Sequence, residues 1–240
     1  MLKYFMAVAA RHVLFIAIAA GVFCSPAAAQ IKDKEIFIST KIEAGYELVD
    51  RRKSMRWEGE GWIGNDTHKF WWKTEGEHGR RSLEDAELQI LYSRRISRFF
   101  DLQAGLRNDF KPKNTTFGVI GVQGLAPYWF EVDLALFIDR HGHVSMRIEA
   151  DYDLLITQRL ILNPFVELNF SANEVPNRLI GPGITDIETG VKLRYEITRE
   201  LAPYVEFRYA RLLGRTSELV QEDGEDKQDI SVIVGIKISF

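Results

Sequence analysis

The sequence predicts a closed antiparallel β-barrel that crosses an outer membrane. Three observations predict it. First, apolar and polar residues alternate with period two in about twelve segments between residues 36 and 240, several of them ten residues or longer. A tilted strand that crosses a bilayer needs about nine to eleven residues, whereas strands of globular proteins average about five or six. Second, the polar face carries Lys, Arg, Asp and Glu together, which suits a narrow lumen filled with compensating charges. Third, short and long connections alternate along the chain, as periplasmic turns and extracellular loops do.

The segments follow in order. The first places Ile36, Ile38, Thr40, Ile42, Ala44, Tyr46 and Leu48 on one face. The second has Met55, Trp57, Gly59, Gly61 and Ile63, and a short third has Phe70, Trp72 and Thr74. The fourth has Ala86, Leu88, Ile90 and Tyr92, and the fifth has Phe100, Leu102, Ala104, Leu106 and Phe110. The sixth, residues 115 to 125, is glycine-rich and its facing is ambiguous. The seventh has Phe130, Val132, Leu134, Leu136 and Ile138. The eighth runs from Val144 through Met146, Ile148, Ala150 and Tyr152 to Leu154. The ninth has Leu160, Leu162, Pro164, Val166, Leu168 and Phe170, and the tenth has Ile187, Thr189, Val191, Leu193, Tyr195 and Ile197. The eleventh has Val205, Phe207 and Tyr209, and the twelfth, "DISVIVGIKISF", has Ile230, Val232, Val234, Ile236, Ile238 and Phe240. Twelve is even, so both ends of the barrel fall on the periplasmic side. The apolar face meets outer-membrane lipid, and the barrel must close because a bilayer cannot satisfy free strand edges.

Residues 1–29 read as a cleaved secretory signal peptide. Lys3 and Arg11 precede or flank an apolar core from Val13 to Phe23, and Ala27-Ala28-Ala29 offers a small-residue cleavage site. Cys24, the only cysteine, lies inside it, so the mature chain has neither a disulfide nor a thiolate ligand. Cleavage removes two basic residues and no acid, which takes the net charge from −3 to −5. Residues 30–34 form a short periplasmic segment and 35–240 the barrel. A net acidic chain is not a nucleic-acid binder. GxSxG, P-loop, HExxH and CxxC motifs are all absent from the sequence.

Several residues are candidates for chemistry. His141 and His143 form His-Gly-His in "DRHGHVSM", where the intervening glycine lets both imidazoles turn to one ion such as Cu(II), Zn(II) or Ni(II). The alternative is an ordinary polar hairpin tip. Met55 and Met146 are the only methionines after residue 29. Thioethers favour Cu(I), although both share the apolar face. Glu131, Asp133, Glu149, Asp151 and Asp153 share lumen parity and form either a cation path or part of a salt-bridged plug with Arg107, Arg147, Lys192, Arg194 and Arg208. A lipid-modifying enzyme would need a nucleophile with a histidine. The pairs His78 with Ser82 and His143 with Ser145 are the weak candidates for one.

The blocks "WWKTEGE", "AELQILYSRRISRFFDLQAGLRNDF", "GVIGVQGLAPYWFEVDLALFI", "RIEADYDLLITQRLILNPFVELNF", "GPGITDIETGVKLRYEITRELAPYVEFRY" and "VIVGIKISF" resemble the copper resistance protein B family of outer-membrane barrels, in order, over most of residues 45 to 240. The resemblance implies a Gram-negative outer-membrane protein of copper tolerance that binds or passes copper ions, with periplasmic copper-binding proteins as partners. It also implies that a C-terminal aromatic, Phe240, is read by the barrel-insertion machinery. Members carry a Met- and His-rich stretch between signal and barrel. Here "QIKDKEIFIST" contains neither residue, so that copper-capture motif has no counterpart.

Overall fold

A computed structural model describes residues 35–48, 54–79, 82–224 and 226–240. The expected signal peptide, Cys24 and residues 30–34 lie outside the described residues.

The strands are β1 (Phe37–Glu47), β2 (Met55–Gly64), β3 (His68–His78), β4 (Leu83–Arg95), β5 (Phe100–Lys111), β6 (Thr115–Ala126), β7 (Phe130–Asp139), β8 (Val144–Asp151), β9 (Leu154–Leu155), β10 (Leu160–Ser171), β11 (Gly183–Tyr195), β12 (Leu201–Leu212) and β13 (Gln228–Ser239). All pairings are antiparallel and join sequence neighbours, except that β10 also pairs with β8 and β1 closes against β13. β8 and the two-residue β9 pair with the same strand, β10, so they are two pieces of one strand and twelve strands surround the lumen. The break falls at Tyr152 and Asp153, earlier than the alternation through Leu154 predicts. Tyr152 lies opposite Pro164, whose carbonyl accepts the Tyr152 N–H at 3.2 Å. Pro164 has no N–H to return, so the ladder is interrupted there.

Closure comes from β1 against β13, from Lys41 opposite Ser239 to Glu47 opposite Ile233. Two further backbone bonds extend the seam: Thr40 N–H donates to the Phe240 carbonyl at 3.0 Å, and Phe240 N–H donates to the Thr40 carbonyl at 2.9 Å. The apolar face predicted to meet lipid points outward, with Ile38, Leu106 and Ile120 all more than half exposed. The inward face is polar and buried, with Ser93, Gln103 and Asp109 at 0–2% exposure.

Two strands hide in the sequence. β3 is eleven residues, not short, because inward Trp71 and outward Gly76 blur its alternation. In β6, Gly118, Gly121 and Gly124 mask the parity. Phe117 and Val119 point inward and are buried. Together with Leu91 and Phe137 they form an apolar cluster inside the lumen, which Trp71 and Ala135 flank. On the other side Tyr204 lies across Gly45 and Gly235, which are opposite each other at the seam. A Cβ at Gly235 would stand 2.5 Å from Cζ of Tyr204, so glycine is what lets the ring lie flat there.

The connections at the chain ends' side of the barrel are short, and the two longest lie at the other side, which is therefore extracellular. One long loop carries a 3-10 turn, Pro176–Arg178. The other holds a helix that the alternation did not reveal, α1 (Gly214–Glu222), with Thr216 and Val220 buried. Thr216 Oγ1 accepts the Gly181 N–H at 2.9 Å and ties the two loops together.

Phe240 is 72% exposed on the outward face while its backbone closes the seam. Deleting Phe240 removes both seam bonds and the terminal aromatic. It is expected to lower the amount of folded barrel in the outer-membrane fraction while export to the periplasm continues, as read by heat-modifiable gel mobility.

Candidate functional site

The strand register stacks carboxylates side by side. Glu43 lies opposite Glu58, Glu58 opposite Glu75, Glu75 opposite Glu87, and Glu87 opposite Asp109, across β1 to β5. A second row runs Asp133, Glu149, Glu167 and Glu188 across β7, β8, β10 and β11. Like charges directly opposite are destabilising on their own. A few long basic side chains reach across the lumen and compensate them.

Arg147 is the hub. Its guanidinium lies 2.9 Å from Glu75, 3.3 Å from Glu87, 3.3 Å from Glu167 and 3.8 Å from Glu149, so it joins both rows. Arg107 pairs with Glu87 and Asp109, each at 2.6 Å. Lys192 sits 2.5 Å from Glu43 and 3.5 Å from Glu206, and Lys237 adds a 2.9 Å contact to Glu43. Arg208 holds Glu188 at 2.6 Å and Glu206 at 2.8 Å. From the extracellular loop, Arg178 reaches down to Asp109 at 2.9 Å. The three guanidiniums of Arg107, Arg147 and Arg178 gather against Phe117 and Phe137, the closest being Arg107 at 4.7 Å from the Phe137 ring centre. The planar cation is the residue type that can both stack on rings and fork between carboxylates.

Two cavities flank this layer. A cavity of about 590 Å³ extends to the short-turn end, where Arg95, Arg98, Phe99 and Leu125 line it. All five acids singled out in the sequence, Glu131, Asp133, Glu149, Asp151 and Asp153, line this one cavity. Their surroundings differ. Asp133 pairs with Lys73. Asp153 accepts from Arg194 at 2.8 Å. Asn163 bridges Asp151 and Asp153 at 2.8 and 2.9 Å. Glu149 has only the long contact to Arg147, and Glu131, opposite Asp151, has no ion pair among the described residues. A second cavity of about 230 Å³ lies toward the extracellular side, where Glu77, Asp85, Asn169 and Glu188 line it. Glu43, Glu58, Glu75, Arg147, Glu167, Lys192 and Arg208 border both cavities and form the layer between them. Twelve acids and ten bases line the first cavity, and eight acids and four bases the second, so carboxylates outnumber basic groups in both.

Among the lumen acids, sequence reasoning missed Glu43, Glu58, Glu75 and Glu87. Each was visible as a polar-face residue, but only the register shows that they form one row.

The histidines lie elsewhere. His141 and His143 sit at the extracellular tip between β7 and β8, with rings 5.8 Å apart. Asp139 lies beneath them. Met55 and Met146 both have outward parity, on β2 and β8 well separated around the barrel, so the two thioethers are not brought together and neither enters the lumen. Among the described residues no hydrogen bond joins His78 to Ser82 or His143 to Ser145, so neither hydrolase pairing is assembled.

A family model described as copper resistance protein B precursor matches residues 37–240. The copper resistance protein B of Escherichia coli is 39% identical over 196 residues, covering 81% of this chain and 66% of that protein. This chain therefore spans just under two thirds of that relative. A copper resistance protein B homolog from Pseudomonas syringae pv. tomato is 37% identical over 225 residues, covering 92% of this chain and 76% of its own length. Among solved structures, the NanC porin superposes with a TM-score of 0.56 at 14% identity and the KdgM porin with 0.52 at 16%. Both comparisons cover 83% of this chain, with 98% of NanC and 99% of KdgM. These likenesses show the outer-membrane barrel fold.

Removing the hub cation leaves Glu75, Glu149 and Glu167 without an ion pair among the described residues; because their side chains are 23–46% exposed to the lumen, the cost falls below that of a fully buried broken pair, at about 1–3 kcal/mol. Arg147→Leu is therefore expected to lower the unfolding free energy by about 1–3 kcal/mol. Urea unfolding of the barrel in lipid vesicles, followed by tryptophan fluorescence, measures it, and Arg147→Lys should recover part of the loss.

Proposed function

Because the chain belongs to the copper resistance protein B family, and so has a role in copper resistance at the Gram-negative outer membrane, we propose that its lumen binds copper ions arriving from the periplasm and passes them outward. The observation that carries this reading is the confluence of five acids in one cavity at the periplasmic end, followed by a layer and a second cavity in which acids outnumber bases two to one.

The donors also favour one valence. Cu(I) prefers thioether and thiolate sulfur, whereas Cu(II) accepts carboxylate oxygen and imidazole nitrogen. Both methionines after residue 29 point outward, and the lumen offers carboxylates, amides and amines. The cargo this lumen suits is therefore Cu(II), handled as a hydrated or carboxylate-bound cation. Such transport makes and breaks no covalent bond, so the reading is non-enzymatic. Passage requires the shared layer to yield. Lys192 and Arg147 each serve several carboxylates, so a divalent ion can take over some of their contacts without leaving a carboxylate uncompensated. Periplasmic copper-binding proteins would supply the ion at the short-turn mouth, and the barrel-insertion machinery would recognise Phe240.

One observation favours a second reading, a plugged structural barrel. Arg178 descends from the extracellular loop and joins Arg107 and Asp109 in filling the extracellular mouth on one side. A strain lacking the gene separates the two. Wild-type protein should restore growth in copper, and the Glu149→Gln, Asp151→Asn double variant should restore less at equal barrel abundance. Unchanged growth on deletion would remove the copper-passing reading, and full restoration by the double variant would leave the lumen acids without a role.

A further inference from the structure

We infer that Asp139, His141 and His143 form a Cu(II)-binding site at the extracellular tip of the β7–β8 hairpin. That the ion is copper rests on the function proposed above; the site itself rests on the hairpin. One donor atom from each of the three side chains can be chosen so that all lie within 4.8 Å of one another. First-row divalent ions bind imidazole nitrogen and carboxylate oxygen at about 2.0–2.2 Å, so three donors this close need only a small inward movement to share one ion.

The tip is built to hold that arrangement. Oδ1 of Asp139 accepts the backbone N–H groups of His141 at 2.7 Å and His143 at 3.0 Å. The carboxylate is thereby fixed by one oxygen, and Oδ2 faces the rings, 2.8 Å from Nδ1 of His143 and 3.5 Å from Nδ1 of His141. The hairpin is locked by Asp139 N–H to the His143 carbonyl at 3.0 Å and Gly142 N–H to the Asp139 carbonyl at 3.1 Å. Gly142 adopts φ +81, a backbone that other residues rarely take, and this turns its two histidine neighbours toward the same side. Asn173 Oδ1 accepts the Val144 N–H at 2.9 Å and anchors the base of the tip to the neighbouring loop.

Exposure grades as a surface metal site requires. The Asp139 side chain is 7% exposed, His143 36% and His141 60%. The carboxylate is the fixed floor, and the outer imidazole is free to close over an ion that arrives from water. Two imidazoles and one carboxylate leave open positions for water, and among first-row divalent ions such a set binds Cu(II) most strongly. This places a nitrogen-rich site at the outer end of a barrel whose lumen offers mainly oxygen.

The full barrel, folded in detergent, is titrated with CuCl₂ by calorimetry and by electron paramagnetic resonance. The expected result is a bound Cu(II) with coupling to two nitrogens. That signal should vanish in the His141→Ala, His143→Ala double variant, with heat-modifiable mobility showing that the barrel is still folded. Asp139→Asn removes the carboxylate donor and should keep nitrogen coupling but bind at least about 10–100-fold more weakly, the range seen when even a carboxylate outside the ligand shell is lost. The Glu149→Gln, Asp151→Asn variant should leave the two-nitrogen signal intact. An unchanged spectrum in the histidine double variant, or loss of the signal in the lumen variant, overturns the site. The two proposals fail separately: a silent lumen with an intact two-nitrogen signal removes transport only, and a conducting lumen without that signal removes the tip site only.

Discussion

The structure depends on how a closed barrel disposes of its inward charges. Bilayer closure forces each strand to show one face to lipid, so every other residue must point into a narrow interior. Here that interior places carboxylate beside carboxylate on successive strands, from Glu43 to Asp109 and from Asp133 to Glu188. Such rows are tolerable only with cations between them, and Arg147, joined to four acids on both rows, does most of that joining. Stability and the proposed ion passage therefore depend on the same groups. A side chain that holds the walls together is also one that a passing divalent cation would displace.

The two ends of the lumen are asymmetric for a packing reason. Toward the extracellular side, Phe117 and Phe137 project inward and carry stacked guanidiniums, and a loop arginine closes over Asp109. Toward the periplasmic side acids and amides are interleaved with lysines and with Trp62 and Trp71, and the larger cavity opens among them. Glycines play a comparable part at the seam, where Gly45 and Gly235 leave room for Tyr204 beside Lys192.

Much of this was legible in the sequence. Strand number, facing and the lipid band follow from period-two alternation, because the side-chain direction in a strand is set by parity alone. The third and sixth strands were harder, since glycines and the inward Trp71, Phe117 and Val119 do not announce their side. The break at Tyr152 depends on Pro164 in the neighbouring strand, and the helix Gly214–Glu222 sits in a polar loop; neither has a period-two signal. At the candidate sites, parity placed Glu131, Asp133, Glu149, Asp151 and Asp153 on one face, and the His-Gly-His spacing marked the hairpin tip. Register is a pairwise property, so the glutamate row on β1 to β4 could not be read from one strand at a time. Asp139 was visible as a turn residue, but its role beneath both imidazoles appears only once the hairpin is folded.

A lumen in which carboxylates outnumber basic groups should favour cations. The most direct measurement is the reversal potential of single barrels in a planar bilayer under a salt gradient. The expected conductance has a reversal potential with the sign of cation preference, which shifts toward zero when Glu149 and Asp151 are neutralised. A barrel that conducts no ions, or one whose reversal potential has the anion sign, would contradict it.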